Sequence, residues 1–325
     1  MMGTRWTVVA AFALTVCASL ASCAEEEPDV VAAPLETDAV IGDSSADLVE
    51  ADSTVDPEDP LSAFPPMESM LCVIDTIMFA AETAPGVSPG FNLDEKVSDG
   101  SDLESCGGVD FTDPDGTPGI DNQAALLVPV FDLVGFGAVE SFIQGAVEEG
   151  GFLLLWQIDG IDDLFYDEEV TVRMRFGSGV PLLGTDGRIV AGQTYHLHED
   201  SPDQQVPNAR ITDGVLEAGP YDTFLPIDVF GVHYELDVRG AYLRGRLTYD
   251  GGIEDGILGG AVTYDSLLEL AAKADNEAGG IYDRVVLITE GLGDMMPDKD
   301  GECQAMSASL AYSAVPAFFY PGEDE

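Results

Sequence analysis

The chain has 325 residues, of which 61 are acidic and 12 basic, giving a formal net charge of −49 at pH 7. A field of that sign repels phosphate backbones and anionic headgroups, which excludes nucleic acid and anionic lipid surfaces as partners. It favours solubility, cation binding and saline media, where screening weakens the self-repulsion.

In chain order, the first feature is a short basic start, Met1 to Arg5, then an apolar core, Trp6 to Val16, and a run of small residues, Ala18-Ser19-Leu20-Ala21-Ser22. The apolar core falls short of the roughly 20 residues that span a bilayer, so the segment reads as an export signal. Leu20-Ala21-Ser22-Cys23 resembles the bacterial lipobox, where lipoprotein signal peptides are cut ahead of a diacylglyceryl-modified cysteine. The resemblance covers only the first two dozen residues. It implies removal of residues 1–22, lipidation and palmitate at Cys23, and membrane attachment in the cell envelope. With neither Asp nor a basic residue at Ala24, it implies the outer membrane. The alternative is ordinary secretion, with Cys23 merely near the cleavage point.

Residues 23–60 hold thirteen acidic side chains and no Lys or Arg, among Pro, Ala and Ser. Such a segment cannot bury enough apolar surface to fold, and reads as a self-repelling tether with a root-mean-square span of roughly 35 Å. Residues 61–325 suffice for one folded domain, with a helical and acidic-loop part at 61–150 and a strand-rich part at 151–325.

Of five cysteines, Cys17 leaves with the signal and Cys23 carries lipid. Cys72 sits in Met70-Leu71-Cys72-Val73-Ile74, a setting for a buried thiol, whereas Cys106 and Cys303 lie in polar, turn-rich loops. In an oxidising compartment the expected disulfide is Cys106–Cys303. The same loops carry the best candidate for chemistry. Residues 106–123 place Asp110, Asp113, Asp115, Asp121 and Asn122 around Gly116 and Gly119, and residues 294–303 add Asp298, Asp300 and Glu302. Alternating oxygen ligands on a curled loop are what Ca2+ requires. Asp113-Pro114-Asp115-Gly116-Thr117-Pro118-Gly119-Ile120-Asp121 is similar to the calcium loops of thrombospondin type 3 repeats and of EF-hands, although the first Asp-x-Asp step and the closing Glu of the latter are missing. If the cysteines bond, the loops meet and one Ca2+ offsets their repulsion. The competing reading is a pair of solvated Asp-Gly turns.

An apolar helical hairpin is expected over Gln123–Glu149, interrupted near Pro129, with Val139, Phe142, Ile143, Ala146 and Val147 at helical spacing. It either plugs the core beneath a sheet or lines a cavity for a hydrophobic ligand. Strands are expected at 152–158, 170–176, 193–198, 211–217, 224–230, 257–263, 285–289 and 307–318. A hairpin is expected from Val232 through a turn near Gly240 to Tyr249, and a short helix from a capping box at Ser266-Leu267-Leu268-Glu269. The fold class that follows is α+β, mainly an antiparallel β sandwich or barrel with a helical hairpin and one further short helix.

No GxSxG, HExxH, P-loop, dinucleotide or CxxC motif is present, which removes the commonest hydrolase, zinc, nucleotide and redox chemistries. His196 and His198 share a strand face and form a metal pair on paper, with His233 as a third ligand; the glycine and glutamate positions of cupin-type sites are missing. Arg173, Arg175, Arg239, Arg244 and Arg246 concentrate positive charge, either to grip carboxylated or sulfated sugars or to pair with Glu235 and Asp237. The reading that follows is a lipid-anchored, non-enzymatic binding or structural module, stabilised by Ca2+, facing a cell-envelope protein or glycan. The alternative is a glycan hydrolase using a carboxylate pair.

Overall fold

The computed structural model describes residues 69–322, apart from 102–105, 130–136, 230–231 and 279–280. The signal segment, Cys23 and the tether lie outside the described residues. The chain from Phe64 to Glu325 forms one compact unit.

In chain order the elements are β1 (Ser69–Phe79), β2 (Phe111–Thr112), β3 (Pro118–Ile120), a 3-10 turn at Gln123–Leu126, α1 (Gly137–Glu149), β4 (Leu154–Asp159), β5 (Tyr166–Asp167), β6 (Thr171–Ser178) and β7 (Gln193–Leu197). They continue with β8 (Gln204–Val206), β9 (Arg210–Thr212), β10 (Val215–Val229), β11 (Val232–Leu247), β12 (Ile253–Thr263), α2 (Tyr264–Ala278), α3 (Ile281–Leu292), β13 (Met295–Pro297) and β14 (Cys303–Phe319). Strands dominate, as expected for a mainly β member of the α+β class.

The main sheet runs β1-β4-β6-β7-β14-β12-β11-β10-β9-β5, and β1 also pairs with β14, so the pairing closes on itself. All the ladders are antiparallel except β7 with β14. A second closure comes from β8, which pairs with β6 and reaches β10, where the Gly219 N–H donates to Pro207 O and Gln204 Nε2 to Asp222 O. The result is a barrel. Across its interior the Met174 sulfur of β6 accepts the hydroxyls of Tyr221 and Thr223 of β10, each at 3.8 Å. Trp156, Met174, Leu216 and Leu243 are fully buried there, and the Trp156 and Tyr312 rings lie 6.4 Å apart. Alternation of apolar side chains with outward polar ones supplies this core along β6, whereas β4 is buried continuously from Leu154 to Ile158.

α1 touches β1 and β10, four places apart in the sheet, and so closes one end of the barrel. It is held there by Gln144, whose Oε1 accepts the Ile77 N–H and whose Nε2 donates to Asp75 O. The first half of the expected hairpin opens as the 3-10 turn and is α-helical at residues 128–129, and 130–136 fall outside the described residues.

Several expected elements are corrected. Residues 285–289 are helix, because Val285, Val286 and Thr289 turn inward at three- and four-residue spacing, and α3 packs against α2. The capping box at Ser266 is not the helix start: α2 begins at Tyr264, and the Ser266 hydroxyl donates back to Thr263 O. The expected strand 211–217 is a hairpin, since Asp213 and Gly214 both take positive φ (53° and 75°) and turn β9 into β10. Conversely the expected turn near Gly240 is a β-bulge inside one continuous strand, β11. β1 was not expected as a strand; it carries Cys72 to the barrel interior.

Candidate functional site

The disulfide joins Cys106 to Cys303, with Cα atoms 6.0 Å apart. Cys72 is the buried free thiol, its pKa pushed up to about 12 by burial and partly held back by its hydrogen bond to Trp156 O.

The two acidic loops do meet, but the expected ligands part company. Asp298 turns its Oδ1 to the N–H groups of Asp300 and Glu302, so this loop is a self-capped turn on the surface. Asp115 accepts the Thr117 N–H, which lowers its pKa. Asp113 is buried and pairs with Arg244 Nη2 at 2.5 Å. Asp110 and Asp121 turn the other way. Asp110 Oδ2 accepts the Ser98 N–H, and Asp121 Oδ2 accepts the Leu93 N–H at 2.7 Å. Across from them Asp294 accepts both the N–H and the hydroxyl of Ser307.

Asp121 and Asp294 are each only 4% exposed. Burial raises the Asp121 pKa to about 8 against the opposing Leu93 hydrogen bond, and Asp94, Asp110 and Asp294 push it further up. Burial likewise raises Asp294 to about 7 against its Ser307 bonds, with Asp110 adding repulsion. Of the seven expected calcium ligands, Asp110 and Asp121 therefore belong to this cluster, together with Asp94 and Asp294, with Asp94 and Asp110 half-buried and Asp121 and Asp294 buried. Among the described residues no group of three or more His, Cys, Asp or Glu is disposed to hold a metal ion. Asn122 is structural: its Nδ2 donates to Ala80 O and its Oδ1 accepts the Ser309 N–H, tying the loop to β14.

The histidines are dispersed in role. His196 stacks on Tyr320 with ring centroids 3.9 Å apart, His198 Nδ1 accepts the Asp200 N–H, and His233 lies 3.7 Å from Glu235. The arginines mostly pair with aspartates. Arg173 meets Asp159, Arg175 meets Asp203, and Arg239 meets both Asp237 and Asp222. Glu235 is not an arginine partner in this set.

What the sequence did not reveal is a groove of about 910 Å3 on the outer face of six adjacent strands. The register explains it. Met78 on β1 pairs with Ala311 on β14, Ala311 with Ile257 on β12, Ile257 with Arg244 on β11, Arg244 with Glu217 on β10, and Glu217 with Arg210 on β9. A second row brings Thr76 beside Ser313 and Arg246 beside Val215 and Thr212. At the normal interstrand spacing these rows run roughly 24 Å. Asp113, Pro114 and Asp115 wall one side.

The groove alternates charges. Arg244 is fixed between Asp113 and the Phe91 ring, 5.4 Å away, and Arg210 pairs with Glu217 at 2.7 Å. Arg246 Nη1 donates to Asp213 O at 3.2 Å and has no carboxylate partner among the described residues. Asp113, Asp115, Asp213, Glu217 and Asp255 outnumber the three arginines of the lining. That balance disfavours a polyanionic ligand and suits one that offers hydroxyls both to donate and to accept. No protein-family model matches the chain, no curated protein matches its sequence, and no solved structure matches its fold.

Proposed function

We propose that this protein is a lipid-anchored, non-enzymatic binding module of the cell envelope, attached through Cys23 and held out on its acidic tether, whose groove takes a neutral, hydroxyl-rich glycan. The observation that carries the reading is the cross-strand row Ile257, Arg244, Glu217, Arg210 with Arg246 beside it: apolar, cationic and anionic side chains in fixed register on a rigid sheet. Carboxylates accept and guanidinium groups donate to sugar hydroxyls, and Ile257, Val215 and Met78 give the sugar faces an apolar floor. Asp121 and Asp294, whose pKa burial raises, lie outside the groove lining.

Titration calorimetry with glucose hexasaccharides in α-1,4, β-1,4 and β-1,3 linkage tests this. At least one is expected to bind, and Arg246→Ala to weaken it by about tenfold, which corresponds to about 1.4 kcal/mol. Absence of binding by all three, or undiminished binding by the variant, overturns the groove reading. Shortened products in the cell would favour the hydrolase instead.

Calcium is the second part of the proposal, supported by the crowding of Asp94, Asp110, Asp121 and Asp294 beside the disulfide. A bound cation would offset that repulsion. Thermal melts with Ca2+ and with chelator are expected to differ by several degrees, and superimposable curves would remove calcium from the account.

A further inference from the structure

The acidic character of the chain has one large gap. Residues 303–322 carry no charged side chain, and residues 179–192 carry one Asp and one Arg, in a molecule of net charge −49. The structure sets these two stretches side by side. Between β6 and β7, residues 179–192 form a finger closed by the Leu183–Ile189 bridge and by the Val190 N–H donating to Leu182 O. Gln193 clamps its base, accepting the Leu182 N–H and donating to Leu182 O and Val190 O, and pairs in register with Ala317 of β14.

Pro181 and Ile189 root the finger by their burial, while its other apolar residues point outward: Val180 is 79% and Leu182 71% exposed, with Leu183 and Val190 also exposed. Beside them the end of β14 and the residue after it present Phe318, 59% exposed, and Tyr320, 43% exposed and stacked on His196. Scattered exposed apolar residues need no explanation, but six gathered on a charge-depleted end do.

We propose that this end of the barrel is a membrane-contact surface that seats on a neutral, zwitterionic bilayer. The proposal rests on the lipid-anchored reading above for its setting. Three observations choose the bilayer over other occupants. First, the described chain begins with β1, and Cys72, three residues after Ser69, pairs with Pro316, two residues before Phe318. The start of β1, the side from which Cys23 precedes it in sequence, therefore lies at the apolar end. Second, two copies of the chain docked here would bring two charges of −49 together, whereas a zwitterionic surface opposes nothing. Third, aliphatic residues on a finger flanked by Phe318, Tyr320 and Arg188 match the order of side chains at a bilayer interface, with hydrocarbon deepest and amphipathic groups at headgroup level. Glu323, Asp324 and Glu325, which follow directly in sequence, select against anionic lipid.

Hydrogen–deuterium exchange of the full chain, with and without phosphatidylcholine vesicles, tests the proposal residue by residue. Vesicles are expected to slow exchange about tenfold in peptides covering 179–192 and 316–322, while β10 and β11 stay unchanged. The effect should vanish in the Val180→Asp, Leu182→Asp double variant and weaken when phosphatidylglycerol is mixed in. Unchanged exchange in both segments overturns the proposal, as does protection that rises with protein concentration in the absence of vesicles, which would make a second copy the occupant. The mass of the N-terminal peptide from cell membranes reads lipidation of Cys23 separately, so an unlipidated chain would count against the anchor and leave the vesicle result standing.

Discussion

Gly256 sits directly opposite Tyr312 in the β12–β14 ladder, and a Cβ there would lie 2.6 Å from the tyrosine ring. The missing side chain is the space the ring occupies. Gly256→Ala is therefore expected to cost about 1–3 kcal/mol in urea unfolding, as overpacking of a rigid core does. The Tyr312 hydroxyl has no hydrogen-bond partner among the described residues, although the residue is buried. Its desolvation is uncompensated, so Tyr312→Phe should leave stability unchanged or raise it by about 1 kcal/mol. A loss larger than that would show that the hydroxyl is satisfied by something the protein binds. Both effects turn on a cross-strand neighbour. Nothing in the sequence near Gly256 announces Tyr312, because the pairing is set by the register of two strands far apart in the chain.

At the scale of elements, the turn β2–β3 and the β13–β14 region bring buried carboxylates together. A carboxyl with an unfolded pKa near 3.9 and a folded value of about 7 or 8 binds more protons folded than unfolded throughout the interval between. The stability it contributes is present in full below about pH 4 and is lost as pH rises through 7 and then 8. Unfolding in chelator should therefore show stability falling from about pH 4 and levelling off above about pH 8, and the part of the fall above about pH 6 lies where exposed carboxylates are already ionised. Asp294→Asn should flatten the fall, and a flat wild-type profile would show that the group is not crowded as described.

The same loops show what sequence can deliver. Asp110 and Asp121 stood out by spacing alone, but Asp113 and Asp115 share that spacing and do other work, since only the tertiary fold puts Arg244 within reach of Asp113. The alternation in Val170 to Phe176 and the polar loops around Cys106 and Cys303 were legible because each is local. The Asp213-Gly214 hairpin was equally local, and its turn dipeptide is the signal that separates two strands from one. The apolar run in α3 was ambiguous, since strand and helix differ there only in which neighbours are buried.

For the whole molecule, the groove and the apolar end were invisible in sequence because each is assembled from strands that meet only in the closed barrel. Arginines 210, 244 and 246 fall on one face through the ladders β9–β10 and β10–β11, and Leu182 reaches Phe318's neighbourhood through Gln193. On the proposals above the two surfaces have separate roles: a polar groove for a ligand and a charge-poor end for a membrane, on a chain of net charge −49.

β14 is the strand on which β1, β7, β12 and β13 all lean. Its partner β1 lies at the far end of the described residues, so the step that closes the barrel joins segments that are remote in sequence and has to wait on the slow search for a long-range contact. The Cys106–Cys303 disulfide spans 197 residues and ties the loop after β1 to the first residue of β14, so once formed it keeps the two sides of that search within reach of each other.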